Sequence, residues 1–416
     1  MVDLLFGIAL SGLIIVAGYV AARIFEVTDV PDILMLIALG IIVGPVLGFV
    51  DASSLTQAMP FFAALALVVI MLMAGQRFNF SRVISILPSN SVFSVLAYFF
   101  TSALITCVAY FGFGWPLLHA AFLAFILSDT CPTVVGALVD RLRASESTKI
   151  SISLEASISG ALSSVCAILV LRFLSAQSLD ASGALHTLAA AFTIAVVAGV
   201  IAGFAWNKLV QALDDKSFEY VLTLAAALIL YAAVEFIGGN GAISVLSFGV
   251  VLGSYGELSR IIHGGKQAQQ QKSTYVFQDE VVFFVRTFFF VYVGIVFQFN
   301  VPLAIFLLSV AALACILCAR VVSMKLLSPN AQDYLLQAFV IPTGLSAVVL
   351  SFLPSAWGVS IPGITQVVLF IVVFTNVVTA IAVYLHHSSP IKPARAAPAS
   401  QRPRIVGFAG RPPKAF

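Results

Sequence analysis

Charge is scarce in this chain of 416 residues: only 9% are Asp, Glu, Lys or Arg, against about 25% in an ordinary soluble domain. With 61% hydrophobic residues as well, a water-soluble globule and a disordered chain are both excluded. Cysteine is scarce too, with five residues, which excludes a disulfide scaffold. Cys315 and Cys318 form a C-x-x-C, but inside the apolar run ALACILCARVV, where they read as packed or lipid-facing thiols and not as a redox or metal pair. Concentrated basic charge is missing as well. The net charge is +3 and the Lys and Arg residues lie in loops and tail, so nucleic acid is not an expected partner. No metal, cofactor or enzymatic chemistry is expected.

What the sequence has is apolar length. Runs of about 20 residues are long enough to cross the hydrocarbon core as helices. The chain holds thirteen of them, including 31–50, 116–139, 149–173, 276–298, 300–324, 333–354 and 361–386. The first, LLFGIALSGLIIVAGYVAARIF, has no basic n-region and no small-residue cleavage site, and is expected to be a span and not a signal peptide. The reading is an all-α polytopic membrane domain over 1–388. A basic tail, 389–416, rich in Pro, Ala and Arg, is expected to be disordered and cytoplasmic. Charge placement tests the count. With the N-terminus outside, 19 of the 21 Lys and Arg fall in inward loops or the tail, Arg320 among them; the exceptions are Arg172 and Arg286. The positive-inside rule then gives N-out, C-in in a bacterial or archaeal cytoplasmic (plasma) membrane.

Charge inside a bilayer costs at least roughly 2.5–3.5 kcal/mol per group, so each instance needs a reason. Three groups lie well inside spans: Asp129, Glu155 and Arg286. At 1.5 Å per residue, Asp129 and Arg286 lie about 15 Å from the cytoplasmic ends and Glu155 about 9 Å. Glu155 and Arg286 are the expected structural ion pair, leaving Asp129 over. An unpaired acid near the midplane either holds a proton or binds a cation, which is the chemistry of a proton-coupled cation site.

Two spans are broken at their middles. In AFLAFILSDTCPTVVGALV, Pro132 removes the helical hydrogen bond to the carbonyl of Ser128; in LLQAFVIPTGLSAVVLSFL, Pro342, Thr343 and Gly344 make the matching break. Interrupted segments in corresponding positions of two halves point to a transporter's midplane site. Thr130 and Ser159 are the hydroxyls expected to join Asp129 in holding an ion or proton. The pattern Gly40–Gly44 predicts close helix packing, and Glu235 is expected to be hydrated near an interface.

These segments resemble the monovalent cation:proton antiporters, the sodium/proton exchanger superfamily, over about 5–390. The resemblance rests on PDILMLIALGIIVGP, LSDTCPTVVGAL, SLEASISGALSSV, GNGAISVLSFGVVLG, RTFFFVYVGIVF and IPTGLSAVVLSFLP. It implies about thirteen helices in two inverted repeats, crossed broken helices 5 and 12, and a homodimer whose core moves against a dimerisation domain. Both signature Asp positions differ. The family's Thr-Asp-Pro reads Thr130-Cys131-Pro132 here, with Asp129 two residues before the expected place. The acid expected after Glu155 in helix 6 is Gly160, while the helix-10 Arg matches Arg286. Thr343 stands where some members carry Arg before the helix-12 Gly.

The function this supports is a secondary antiporter exchanging sodium or potassium for protons through Asp129 by an elevator-like cycle. Two other classes stay open: a sodium-coupled symporter for a small organic solute, and a non-transporting paralogue acting as a membrane sensor or assembly partner.

Overall fold

A computed structural model describes residues 2–28, 30–50, 59–77, 88–139, 141–142, 144–175, 181–211, 218–263, 272–297, 300–327 and 333–388. The basic tail lies outside these residues. Helices are the expected outcome for apolar runs of this length, because a lipid-facing backbone must satisfy its hydrogen bonds within its own segment. Among the described residues all regular structure is helical, in thirteen successive segments. They are α1 (Val2–Thr28), α2 (Asp32–Ile41, continued by a π-helical turn Ile42–Val46), α3 (Met59–Arg77) and α4 (Pro88–Cys107, continued by a π-helical turn Val108–Gly112). The interrupted fifth segment is α5a (Leu117–Leu127) and α5b (Pro132–Val139). Then come α6 (Glu146–Ser175), α7 (Ala181–Gln211), α8 (Glu219–Phe236), α9 (Gly241–His263), α10 (Lys272–Val296) and α11 (Leu303–Leu327). The interrupted twelfth is α12a (Tyr334–Phe339) and α12b (Leu345–Ala356), followed by α13 (Ile364–Ser388). Seven segments are long and apolar enough to cross a membrane, and five more are shorter apolar helices.

Glycines bring several of these helices together backbone to backbone. Gly40 and Gly44 of α2 face Val291, Gly294 and Ile295 of α10, and a Cβ at either glycine has no room. The pattern Gly40–Gly44 therefore does what its spacing predicts. Gly75 of α3 meets Leu246 and Gly249 of α9 in the same way, and Gly199 and Gly203 of α7 meet the opposite side of α9.

The two interruptions cross. Pro132 and Pro342 lack the N–H that would continue their helices, so residues 128–131 and 340–344 run unwound. The N–H of Cys131 donates to the carbonyl of Pro342 at 2.7 Å, joining the two unwound segments. Gly344 lies directly against the Cys131 side chain, so that a Cβ at 344 would sit 2.7 Å from Cys131 Cβ. The rest of the second break is tied to α13. Ile341 N–H donates to Thr379 Oγ1 at 3.2 Å and Thr343 N–H to Thr375 Oγ1 at 3.1 Å. Asn376 Nδ2 donates to the Thr343 carbonyl at 2.8 Å. All three α13 side chains are fully buried.

Two further ties link distant segments. Arg172 of α6 pairs with Glu235 of α8 at 2.6 Å, donates to the Gly239 carbonyl at 2.7 Å and stacks over Trp357. Glu235, expected to be merely hydrated, is thus a partner in a charged clasp. Near the start of α6, Ser145 N–H donates to Asp333 Oδ2 at 3.0 Å and Gln337 Nε2 to Thr148 Oγ1 at 3.1 Å.

Removing a partner from a buried backbone group costs about 1–3 kcal/mol. Asn376→Ala, which strands the Thr343 carbonyl, should lower stability in detergent by about that much. Thr193→Val is the control, since Thr193 is exposed and bonds only the Ala189 carbonyl of its own helix. Thermal unfolding followed by intrinsic fluorescence measures both. Equal melting temperatures for the two variants would mean that the crossing holds without α13.

Candidate ion site

Asp129 is in the unwound stretch between α5a and α5b, 3% exposed. Its Oδ2 accepts a hydrogen bond from the hydroxyl of Ser346, the second residue of α12b. Its Oδ1 has no hydrogen-bond partner. Three residues on, α5b begins at Pro132. The carboxylate therefore lies beside the N-terminal ends of two half-helices, where unpaired N–H groups and the helix dipoles favour negative charge.

A polar cavity of about 20 Å³ opens here, lined by Asp129, Thr130, Ser128, Ser159, Glu155, Arg320 and Thr343, with Tyr98 and Thr101 from α4. A cavity needs roughly 10–15 Å³ to hold one water, so this one suits a single water or a dehydrated small cation. Thr130 and Ser159 are adjacent: Thr130 N–H donates to Ser159 Oγ at 3.1 Å, and Ser159 Oγ donates to the Ala156 carbonyl. Tyr98 and Ser102 brace the end of α5a, through the Phe125 carbonyl at 3.1 Å and Ser128 Oγ at 2.9 Å.

The expected pair of Glu155 with Arg286 does not form. Glu155 pairs with Arg320 of α11, and Arg286 pairs with Asp32 at the start of α2, at 2.6 Å. The reason is packing. The glycine seam between α2 and α10 turns Arg286 toward Asp32, away from α6. Arg320, assigned to an inward loop by the charge count, is instead 5% exposed within α11, which continues to Leu327. Its position inside the apolar run 300–324 was the available signal. Asp32, 2% exposed, was hidden by its place at the edge of a span next to Pro31. Ser346 and the Thr375, Asn376 and Thr379 ladder carried no signal beyond being hydroxyls and an amide inside apolar helices.

Among the described residues, three buried or half-buried carboxylates thus have basic partners: Asp32, Glu155 and Glu235. Asp129 is the buried carboxylate that has none.

A family model for the sodium/hydrogen exchanger transmembrane domain matches residues 11–386. The chain belongs to the sodium/hydrogen exchanger family. That family is one of transporters and not of enzymes. Among curated relatives, the low-affinity Na(+)/H(+) antiporter NhaS1 of Synechocystis sp. is 30% identical over 247 residues, 56% of this chain and 46% of the relative. The Na(+)/H(+) antiporter ApNhaP of Aphanothece halophytica is 33% identical over 101 residues, 24% of this chain and 18% of its own length. This exchanger-family chain thus spans less than half the length of these relatives in the matched region. In fold it is similar to the sodium proton antiporter MjNhaP1 of Methanocaldococcus jannaschii at pH 8, with a TM-score of 0.71 and 20% identity. That match covers 93% of this chain and 97% of the other.

Breaking a buried ion pair from one side costs about 3–5 kcal/mol, because the remaining charge is left without compensation. Glu155→Gln and Arg320→Gln should each destabilise the exchanger by about that amount, and the double variant should recover much of it. Arg286→Gln combined with Glu155→Gln should recover nothing. Thermal unfolding of the five proteins in detergent decides: rescue by Arg286→Gln would restore the pairing expected from depth alone.

Proposed function

We propose that the protein is a secondary antiporter that exchanges a monovalent cation for protons across a membrane, with Asp129 as the group that holds either one. The observation that carries this reading is that Asp129 is, among the described residues, the one buried carboxylate without a basic partner, set in a cavity of about 20 Å³ at the crossing of two broken helices. A carboxylate there cannot stay ionised and empty without cost, since nothing cationic neutralises it. Binding a proton or a cation removes that cost, and the two compete for the same oxygens. Competition at one site is sufficient to couple the flows.

The cavity size speaks against a symporter for an organic solute, which needs room for several heavy atoms. A purely sensory paralogue has no need of a buried acid that lacks a counter-charge. Sodium is the cation named for the matched relatives; sodium or potassium is the proposed cargo here. The same reading takes the chain to be a homodimer in the lipid bilayer of the plasma membrane, cycling by an elevator-like movement. An N-out, C-in orientation still has support once Arg320 is counted within the bundle, since 18 of 21 Lys and Arg fall on the proposed inner side.

In proteoliposomes carrying an internal pH dye, an outward sodium or potassium gradient should drive proton uptake, and no gradient should give none. Asp129→Asn keeps the shape and removes the titrating group, so it should abolish this movement while the protein stays folded. Wild-type exchange by the Asn variant would rule Asp129 out as the carrier.

Stoichiometry follows from the charge inventory. With Glu155 neutralised by Arg320 and Asp32 by Arg286, each loaded state of Asp129 carries one positive charge, as a proton or a cation. Exchange should be electroneutral. Moving one net charge through 100 mV is worth about 2.3 kcal/mol, so an unbalanced cycle would respond strongly to voltage. Sodium-driven exchange measured at several potassium–valinomycin potentials should give the same end-point at each. An end-point that follows the imposed voltage would mean that a second group titrates in the cycle.

A further inference from the structure

Gly160 lies in the middle of α6 and is buried. Glycine in a helix interior is less favourable than alanine. Nothing in the backbone asks for it, since Gly160 is not among the residues with positive φ. What distinguishes the position is what it faces. A Cβ built there would lie 3.2 Å from Cγ of Pro132 and 3.4 Å from Oδ1 of Asp129. That oxygen is the half of the carboxylate with no hydrogen-bond partner, and the other half is held by Ser346. The neighbouring side chains on α6 are already committed: Ser159 Oγ bonds the Thr130 N–H, and Ser164 Oγ donates to the carbonyl of Gly160 itself at 2.9 Å. The bare α-carbon of Gly160 therefore packs directly beside the free carboxylate oxygen and the Pro132 ring.

We infer that Gly160 is a specificity-determining residue, which sets how large a cation fits against Asp129 Oδ1. The inference rests on the proposed role of Asp129 and deepens it. A proton on Oδ1 needs almost no room, whereas a cation needs space for itself and for its remaining oxygen ligands. A methyl group at 160 takes its volume from the cation form of the site and leaves the protonated form nearly untouched. Larger ions lose more than smaller ones. If Gly160 served only to let α6 approach Pro132, a methyl group would instead disturb the crossing in the same way whichever ion is bound.

The test is Gly160→Ala in proteoliposomes with lithium, sodium and potassium, each as the driving cation, next to the wild type. The expected result is a rise in apparent KM that grows with ion size, by about tenfold or more for the largest ion the wild type accepts, as a misplaced methyl group in a fitted site commonly gives. Lithium exchange should change least. A second measurement needs no transport: stabilisation of the detergent-solubilised variant by LiCl, NaCl and KCl at equal ionic strength should follow the same order, since a ligand that binds only the folded state raises its stability by mass action. The two levels of the argument fail differently. A wild type that moves no protons with any cation overturns the proposed function. A wild type that exchanges normally, with a Gly160→Ala variant whose KM values or thermal shifts change equally for all three ions, overturns the role of Gly160 and leaves the function standing.

Discussion

The hydrogen bond from the N–H of Cys131 to the carbonyl of Pro342 is the contact around which the rest is arranged. An interrupted helix in a water-free environment exposes backbone groups that are costly to leave unmet. Here each interruption answers part of the other's need. The fit is close enough that Gly344 touches the Cys131 side chain, which leaves little freedom in how the two segments cross. Once that crossing is fixed, Ser346 is delivered to Asp129 and the starts of α5b and α12b converge on one carboxylate. The two breaks are not equivalent. The second is laced to α13 by Thr375, Asn376 and Thr379, while the first presents Ser128, Asp129 and Thr130 to the cavity. The second break is the more firmly supported, and the first carries the carboxylate.

The buried charges obey packing more than depth. Glu155 and Arg286 lie at heights that would let them meet, yet they are on helices whose neighbours differ. The contact of α10 with α2 is made by glycines, which brings the helix axes close and gives Arg286 the nearest acid on α2. Arg320 then completes Glu155 from α11. Either set of partners matches each of these bases with an acid, and among the described residues Asp129 is left without a base in both.

Span number and both helix breaks were legible because they rest on one-dimensional signals: apolar length, and proline within it. Asp129 stood out because an acid inside an apolar run is costly wherever the run goes. The depth of Arg320 is not legible because it lies near the end of its run, where depth depends on where the helix stops, and α11 stops later than the hydropathy suggests. The depth of Asp32, at the start of its run, is hidden for the mirror-image reason. Which acid meets which base is a question about lateral neighbours, and hydropathy records only position along the membrane normal. In the sequence Gly160 is only the lack of an expected acid; its place against the free oxygen of Asp129 is set by the fold.

The glycine seams have a mechanical consequence. Where α2 meets α10 and α3 meets α9, the helices touch mainly through backbone atoms, with little side chain between them to change rotamer. A helix held in this way cannot roll about its axis without driving a Cβ into a carbonyl, and it cannot slip by less than a full turn without losing its notch. Such seams transmit force and do not absorb it. Compliance in this bundle is therefore confined to surfaces filled by Leu, Ile, Val and Phe, whose side chains can re-pack as their helices slide.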